Sequence, residues 1–301
     1  MSITLGPNQY GKAENRVVRV FRDTLRHEIR DLNVSTSLRG DFRDAHVTGD
    51  QAGILPTDTQ KNTAFAFAKQ KPLGAIEDYA VNLATHLMRQ TPLANGARVG
   101  VEEFEWQRIT VDGKGHDHSF VRGGQGTRNT IVTVESTEAG STTHVVSGID
   151  GLVVAKTTGS EFRGFLKDEY TTLQETDDRI LATSLVARWR YAHNEVDWDS
   201  AYASIKGILL ERFATIHSHA LQETLYGMGK AVLETHPAVA EIKFSAPNKH
   251  HFLVDLSPFG TENPGEVFLA ADRPYGLIEA SVVRDDAPDA GAAWTSVPAF
   301  C

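Results

Sequence analysis

A single cysteine among 301 residues, Cys301 at the very end, excludes an internal disulfide and gives no support to a Cys-His nucleophile or a cysteine-ligated metal. That scarcity fits a reducing compartment. The sequence also lacks any apolar run approaching the roughly 18 residues of a membrane span. Met1 to Tyr10 lacks the apolar core of a secretory signal. Ala299-Phe300-Cys301 is not a peroxisomal address. A cytoplasmic protein with no membrane partner is therefore expected. There is no long basic run either: 39 acidic against 30 basic residues give a net charge of -9, which argues against nucleic acid as a partner. Finally, no Walker A loop, dinucleotide fingerprint, His-Glu-x-x-His or Cys-x-x-Cys motif occurs. The commonest routes to a bound cofactor or metal are thus without sequence support.

What is present is a 41% hydrophobic chain, enough for one large core or two modest ones, dominated by period-two segments. From Asp31 to Phe42, Leu32, Val34, Leu38 and Phe42 share one face while Asp31, Asn33, Ser35 and Ser37 share the other, the pattern of a half-buried antiparallel strand. Val18 and Val20 open a preceding strand, and Arg22 to Arg26 supply the turn of a hairpin. The period then changes. Ile76, Tyr79, Ala80, Leu83 and Leu87 fall on one helical face, after a shorter helix from about Thr59 to Ala68. Strands return around Phe104, Trp106, Ile131, Val132 and Val134, interrupted by glycine-rich loops. The second half repeats the order: strands over Val145 to Lys156 and Leu185 to Tyr191, a long helical region from Ala201 to Thr235, then strands at Ile242 to Phe244, Phe252 to Leu256 and Leu277 to Val283. Tandem duplication is the economical reading, with repeats over 1–140 and 141–284 and a mobile, Ala/Asp/Pro-rich tail over 285–301. Short echoes between Thr57-Asp58-Thr59-Gln60-Lys61 and Thr176-Asp177-Asp178-Arg179, and between the Gly115-His116-Asp117-His118 turn and Asn248-Lys249-His250-His251, support it weakly. An α+β layer follows, in which helices cover the apolar face of an antiparallel sheet. Its free edges invite pairing with other copies into an oligomeric barrel.

Taken one at a time, the polar residues have bland readings. His116 and His118 share a side if their stretch is a strand, while adjacent His250 and His251 point to opposite faces; hairpin histidines are favoured over a metal site. Thr57-Asp58 reads as a helix N-cap, Lys12 as a surface lysine, Arg179 as an ion-pair partner near a helix start, and Phe162 as packing. Gln222 sits on an otherwise apolar helix. In functional terms a lysine beside a threonine can move a proton, an arginine fork can grip an anion, and a glutamine can present donor and acceptor together.

The ordered set Leu152, Val154, Lys156, Ser160, Phe162, Phe165, Tyr170, Leu173 and Arg179 changes the weighting. So do Tyr10-Gly11-Lys12, the run from Thr57 to Thr63, Pro247-Asn248-Lys249-His250 and the segment from Asn263 to Ile278. Together they resemble the urate oxidase family over most of the chain. Ala155 stands where the family has a larger aliphatic, and Leu221 precedes Gln222 where a valine is frequent. The resemblance implies tandem T-folds, ββααββ twice, assembled as a homotetramer around a tunnel, with active sites shared between subunits. It implies oxidation of urate by dioxygen and water to 5-hydroxyisourate and hydrogen peroxide in purine catabolism, with no cofactor and no metal. Lys12 and Thr57 would be the proton relay and His250 a third proton-handling group. Arg179 and Gln222 would clamp the purine and Phe162 stack on it. Asp58, Leu173 and Leu221 would line the site, and Asn248 with Thr57 would hold oxygen or water. Another T-fold enzyme acting on a purine or pterin would need a metal ligand set or an acidic ring anchor. A non-catalytic purine-binding homologue would lack part of the relay.

Overall fold

The computed structural model describes residues 2–138 and 140–295; residues 296–301, with Cys301 and the end of the expected tail, lie outside the described residues. The described residues divide into two compact units: 2–138, 140–148, 190–199 and 288–295 make one, and 149–189 with 200–287 make the other. Among the described residues no helix is long and apolar enough to cross a membrane.

In the first unit, β1 (Gln9–Phe21) and β2 (Glu28–Gly40) form the expected hairpin, and β3 (Ala94–Phe104) and β6 (Thr127–Thr137) extend it in the order β1-β2-β3-β6, all antiparallel. Leu32, Val34 and Leu38 are fully buried, as the alternation demands. Phe42, also buried, lies just past β2, before a short helix α1 (Arg43–Val47). Two longer helices, α2 (Thr57–Gln70) and α3 (Ile76–Gln90), cover this sheet, α2 against β1 and α3 against β3 and β6. Ile76, Tyr79, Ala80, Leu83 and Leu87 are each at most 2% exposed, the large ones contributing roughly 1.5–3 kcal/mol apiece by burial. The Tyr79 hydroxyl donates to the Ala64 carbonyl at 2.8 Å, tying α3 to α2.

An additional hairpin lies between β3 and β6: β4 (Trp106–Val111) with β5 (Lys114–Arg122), a separate two-stranded sheet. Its presence corrects two expectations. Gly115-His116-Asp117-His118 is strand, not turn, so His116 and His118 share a side with rings 4.5 Å apart, while the Asp117 carboxylate accepts from Arg26 at 3.1 Å. And Asp31, assigned to a solvent face, is 3% exposed because this hairpin covers it: Trp106 Nε1 and Arg122 donate to its carboxylate at 3.0 and 3.2 Å, with Arg16 as a third donor.

The second unit repeats the order. Strand β7 (Gly140–Lys156) begins in the first unit beside β6 and continues into the second, where β8 (Leu181–Tyr191), β9 (Val239–Leu253) and β10 (Phe268–Val283) follow in the order β7-β8-β9-β10. The strands expected at Ile242–Phe244 and Phe252–Leu256 are one strand, β9, which ends at Leu253 and pairs along its length with β10. The expected 201–235 helix is two, α4 (Trp198–Thr215) and α5 (Leu221–Thr235). On α5, Leu221, Leu225, Met228 and Val232 are buried at offsets 0, 4, 7 and 11, the same offsets as Ile76, Ala80, Leu83 and Leu87 on α3. The two helices thus present one stripe to their sheets, α5 against β9 and β10. At Gly229 a Cβ would sit 2.6 Å from Val282 and 3.0 Å from the Phe244 ring, so glycine lets α5 lie close on its strands.

Polar burial in the first unit centres on Arg128, which donates to fully buried Glu77 at 2.8 Å and to Asp199 at 2.6 Å; Glu77 also accepts from Ser147 at 2.7 Å. Burial raises the pKa of neighbouring Glu103 although Arg30 and Arg128 both oppose the shift. Removing the shared cation leaves buried carboxylates uncompensated. We expect Arg128→Leu to destabilise the protein by about 3–5 kcal/mol; urea unfolding that places the loss below 1 kcal/mol would show the ion network to be structurally neutral.

Candidate active site

The candidate residues fall into two groups, one in each unit. In the first, Lys12 lies where β1 loses register: pairing with β2 is regular from Gln9 to Lys12, slips, and resumes at Asn15, with Glu14 at φ 56°. Gly11 makes the approach possible, since a Cβ there would fall 1.8 Å from the Thr36 carbonyl oxygen. The Lys12 amide faces the Thr36 hydroxyl at 3.4 Å, and that hydroxyl donates to buried Gln60 at 2.8 Å, so a side chain of α2 fixes the backbone beside Lys12. Thr57 and Asp58 open α2, but the cap residue is Pro56 and no side-chain cap forms. The N-cap reading of Thr57 is thereby overturned: Thr57 is already helical and half-buried, and its hydroxyl is not spent on the helix end. It lines a cleft of about 550 Å³ with Tyr10, His46, Ile54 and Pro56. Asp58 pairs with Lys61 and accepts from Asn62 at 2.9 Å; Lys61 first, and Lys12 more weakly, hold its carboxyl below the usual range.

In the second unit the segment between β7 and β8 is pinned by two isolated bridges, Ser160 to Ser218 and Phe162 to Thr176. The Phe162 amide donates to the Thr176 carbonyl at 2.9 Å and the return bond is 3.1 Å, which sets the Phe162 ring in place, stacked on Phe165 at 5.0 Å. Arg179 does not start a helix as expected; it precedes β8. Its amide donates to the Ser160 carbonyl at 2.8 Å and its Nε faces the Ser160 hydroxyl at 3.4 Å, while its guanidinium lies over the Phe162 ring at 5.0 Å. Among the described residues no carboxylate pairs with it, and burial alone pulls its pKa below the ordinary guanidinium range. His250, on β9 opposite Ala271, is close enough for the Arg179 charge to act on it and stacks on Phe252 at 5.8 Å. Asn248 lies two positions along β9, opposite Gly276, half-buried. Leu221 and Gln222 open α5, Leu221 buried at 2% and Gln222 exposed; Leu173 is 57% exposed.

The structure therefore brings Lys12 within electrostatic reach of Asp58, next to Thr57 at the start of α2, and separately sets Arg179 over Phe162 and within electrostatic reach of His250. Sequence reasoning gave no role to Ser160 or Gln60. Their signal was present: a polar residue inside a helical stripe, and a serine within the ordered set. The echo of Thr57-Asp58 in Thr176 to Arg179 is not structural, because the first opens a helix and the second leads into a strand.

The Uricase family model matches residues 8–133 and 145–279. The chain belongs to the uricase family. The uricase of Arthrobacter globiformis is 52% identical over 99% of this chain and 96% of its own, and that of Dictyostelium discoideum 39% identical over 93% and 98%. The crystal structure of the Arthrobacter uricase superposes with a TM-score of 0.91 at 53% identity, covering 96% of this chain and 98% of that one. A urate oxidase from Bacillus sp. TB-90, 22% identical over 92% of this chain and all of its own, shares the fold at a TM-score of 0.82. The α+β architecture is thus that of the uricases, a T-fold repeated twice. Lys12, Thr57 and Asp58 lie within the first segment matched to the uricase family, and Phe162, Arg179, Gln222 and His250 within the second.

Burial first, then the Arg179 and His251 charges, hold His250 below its ordinary pKa of 6.5. An imidazole with a depressed folded pKa contributes stability that is present above 6.5 and is lost as pH falls through the folded value. Its NMR titration midpoint should lie below 6.5 and move upward in Arg179→Ala, with the burial and His251 contributions remaining. A midpoint that does not move would place the two groups too far apart to interact.

Proposed function

We propose that this protein oxidises urate with dioxygen and water to 5-hydroxyisourate and hydrogen peroxide, in the cytoplasm, without metal or organic cofactor, and that each active site is shared between subunits of a homotetramer. The observation that carries the substrate assignment is Arg179: a half-buried guanidinium over an aromatic face, meeting no carboxylate among the described residues. A cation withdrawn from water without a counterion is costly, and a flat anion laid on Phe162 supplies both the charge and the stacking surface. Gln222 adds a donor and an acceptor for a purine edge, and Leu173 and Leu221 line its border. Thr57 passes a proton of urate toward Lys12. The resulting electron-rich dianion reduces dioxygen itself, so that the protein supplies orientation and electrostatics. Oxygen, then water, is held above the ring between Thr57 and Asn248; a hydroperoxide forms at the ring carbon, hydrogen peroxide leaves, and water adds. His250, whose pKa is lowered first by burial and then by the Arg179 and His251 charges, is suited to accept and return a proton during that addition.

Shared sites follow from the division of these groups. Lys12 lies on β1 at one edge of its sheet, and β10 is the edge strand beside Asn248 and His250. The β10 region carries exposed apolar side chains, among them Leu269 at 60%, Tyr275 at 51% and Leu277 at 55%. Unpaired strand edges flanked by apolar surface favour association with another copy.

Metal-stripped protein should consume urate and oxygen in equal amounts and stop when oxygen is removed. Activity that is abolished, not merely reduced, on stripping and restored by one metal would overturn the cofactor-free reading, and no oxygen-dependent loss of urate would overturn the substrate.

A further inference from the structure

The turn between α4 and α5 gathers a second constellation. Residues 216–220 leave the helix because Ser218, fully buried, pairs in parallel with Ser160: its amide donates to the Gly159 carbonyl at 2.9 Å and its carbonyl accepts from the Glu161 amide at 2.9 Å. In such an extended pairing the residues on either side of Ser218 point the same way, and Glu161 points with them. His217 Nε2 lies 3.0 Å and His219 Nε2 3.3 Å from the same Glu161 oxygen, and one ligand atom from each of the three lies within 4.8 Å of the others. Donors bound tetrahedrally to one zinc ion at about 2.1 Å stand roughly 3.4 Å apart, so little movement separates this arrangement from a ligand set.

The orientation of His219 points the same way. Its Nδ1 and its amide both face Glu223 Oε2, at 2.9 and 3.0 Å. Glu223 thereby accepts the hydrogen bond of the Nδ1–H tautomer and leaves Nε2 directed at Glu161 and His217, the relation by which carboxylates orient metal-binding imidazoles. Two carboxylates, Glu161 and Glu223, also offset the positive end of α5, which by itself disfavours a cation. Both histidine side chains are more than half exposed, so an ion can reach them from solvent.

We propose that Glu161, His217 and His219 form a binding site for a divalent late transition cation such as zinc, with Glu223 as the positioning carboxylate. The ion takes no part in urate oxidation. It braces the segment that carries Phe162 to the start of α5, where Gln222 lies, replacing the proton-mediated contacts of the three side chains by coordination bonds.

Zinc titrated calorimetrically into chelator-treated full-length protein, without urate, should show one saturable micromolar site per chain. His217→Ala and His219→Ala, each checked for unchanged circular dichroism, should weaken it by more than about 100-fold, and Glu223→Gln by about 10–100-fold. Absence of saturable binding in the unaltered protein, or affinity retained in a His217→Ala/His219→Ala double variant, would overturn the assignment. Because no turnover is measured, failure here leaves the urate reading untouched.

Discussion

A guanidinium drawn partly out of water, over an aromatic ring and paired with no described carboxylate, is the constraint around which the connection from β7 to β8 is built. Charged side chains are rarely placed so unless something else supplies the counter-charge. The surroundings hold Arg179 there deliberately in the physical sense. Its amide is committed to Ser160, Ser160 is bridged to Ser218, and Phe162 is bridged to Thr176, so the long connection from β7 to β8 is fastened at two points although it contains no regular element. The same fastening interrupts what would otherwise be one long helix and creates the α5 start at which Leu221 and Gln222 sit.

The first unit answers with a different device. Gly11 lets β1 approach β2 more closely than any side chain would allow, and the pairing slips in register just after Lys12. Thr36 and buried Gln60 lock that geometry from the helix side. Lys12 thus stands at an irregular strand position and Thr57 keeps a hydroxyl free of capping, both set by backbone constraints and not by each other.

Much of this was legible in the sequence where periodicity governs. The buried stripe of α3 and the inward face of β2 follow from spacing alone, since burial of apolar residues there meets no competing interaction. Legibility failed where a local polar contact overrode the pattern. Asp31 reads as solvent-facing until Trp106 and Arg122 arrive from a distant hairpin. The helix break at 216–220 is invisible because its cause is a partner strand at Ser160, far away in sequence. Thr57 reads as a cap because Thr-Asp before an apolar pattern usually is one, whereas Pro56 takes the cap position. The candidate site was named through the ordered set from Leu152 to Arg179 and its resemblance to a family; composition alone gave none of it. The cluster of Glu161, His217 and His219 escaped for the same reason as the helix break, since on a continuous helix residues two apart do not face each other.

In the shared-site arrangement proposed above, the Lys12-Thr57 pair of one chain works with the Arg179-Phe162 pair of another. The most direct measurement mixes two variants, Lys12→Met and Arg179→Ala, each expected to be inactive alone, after dissociation and reassembly. In mixed oligomers some sites then combine an unaltered first unit with an unaltered second unit, and urate oxidation should return as those oligomers form. Verified mixed oligomers that stay inactive, or full activity in a protein held as a monomer, would show instead that each chain builds its own site.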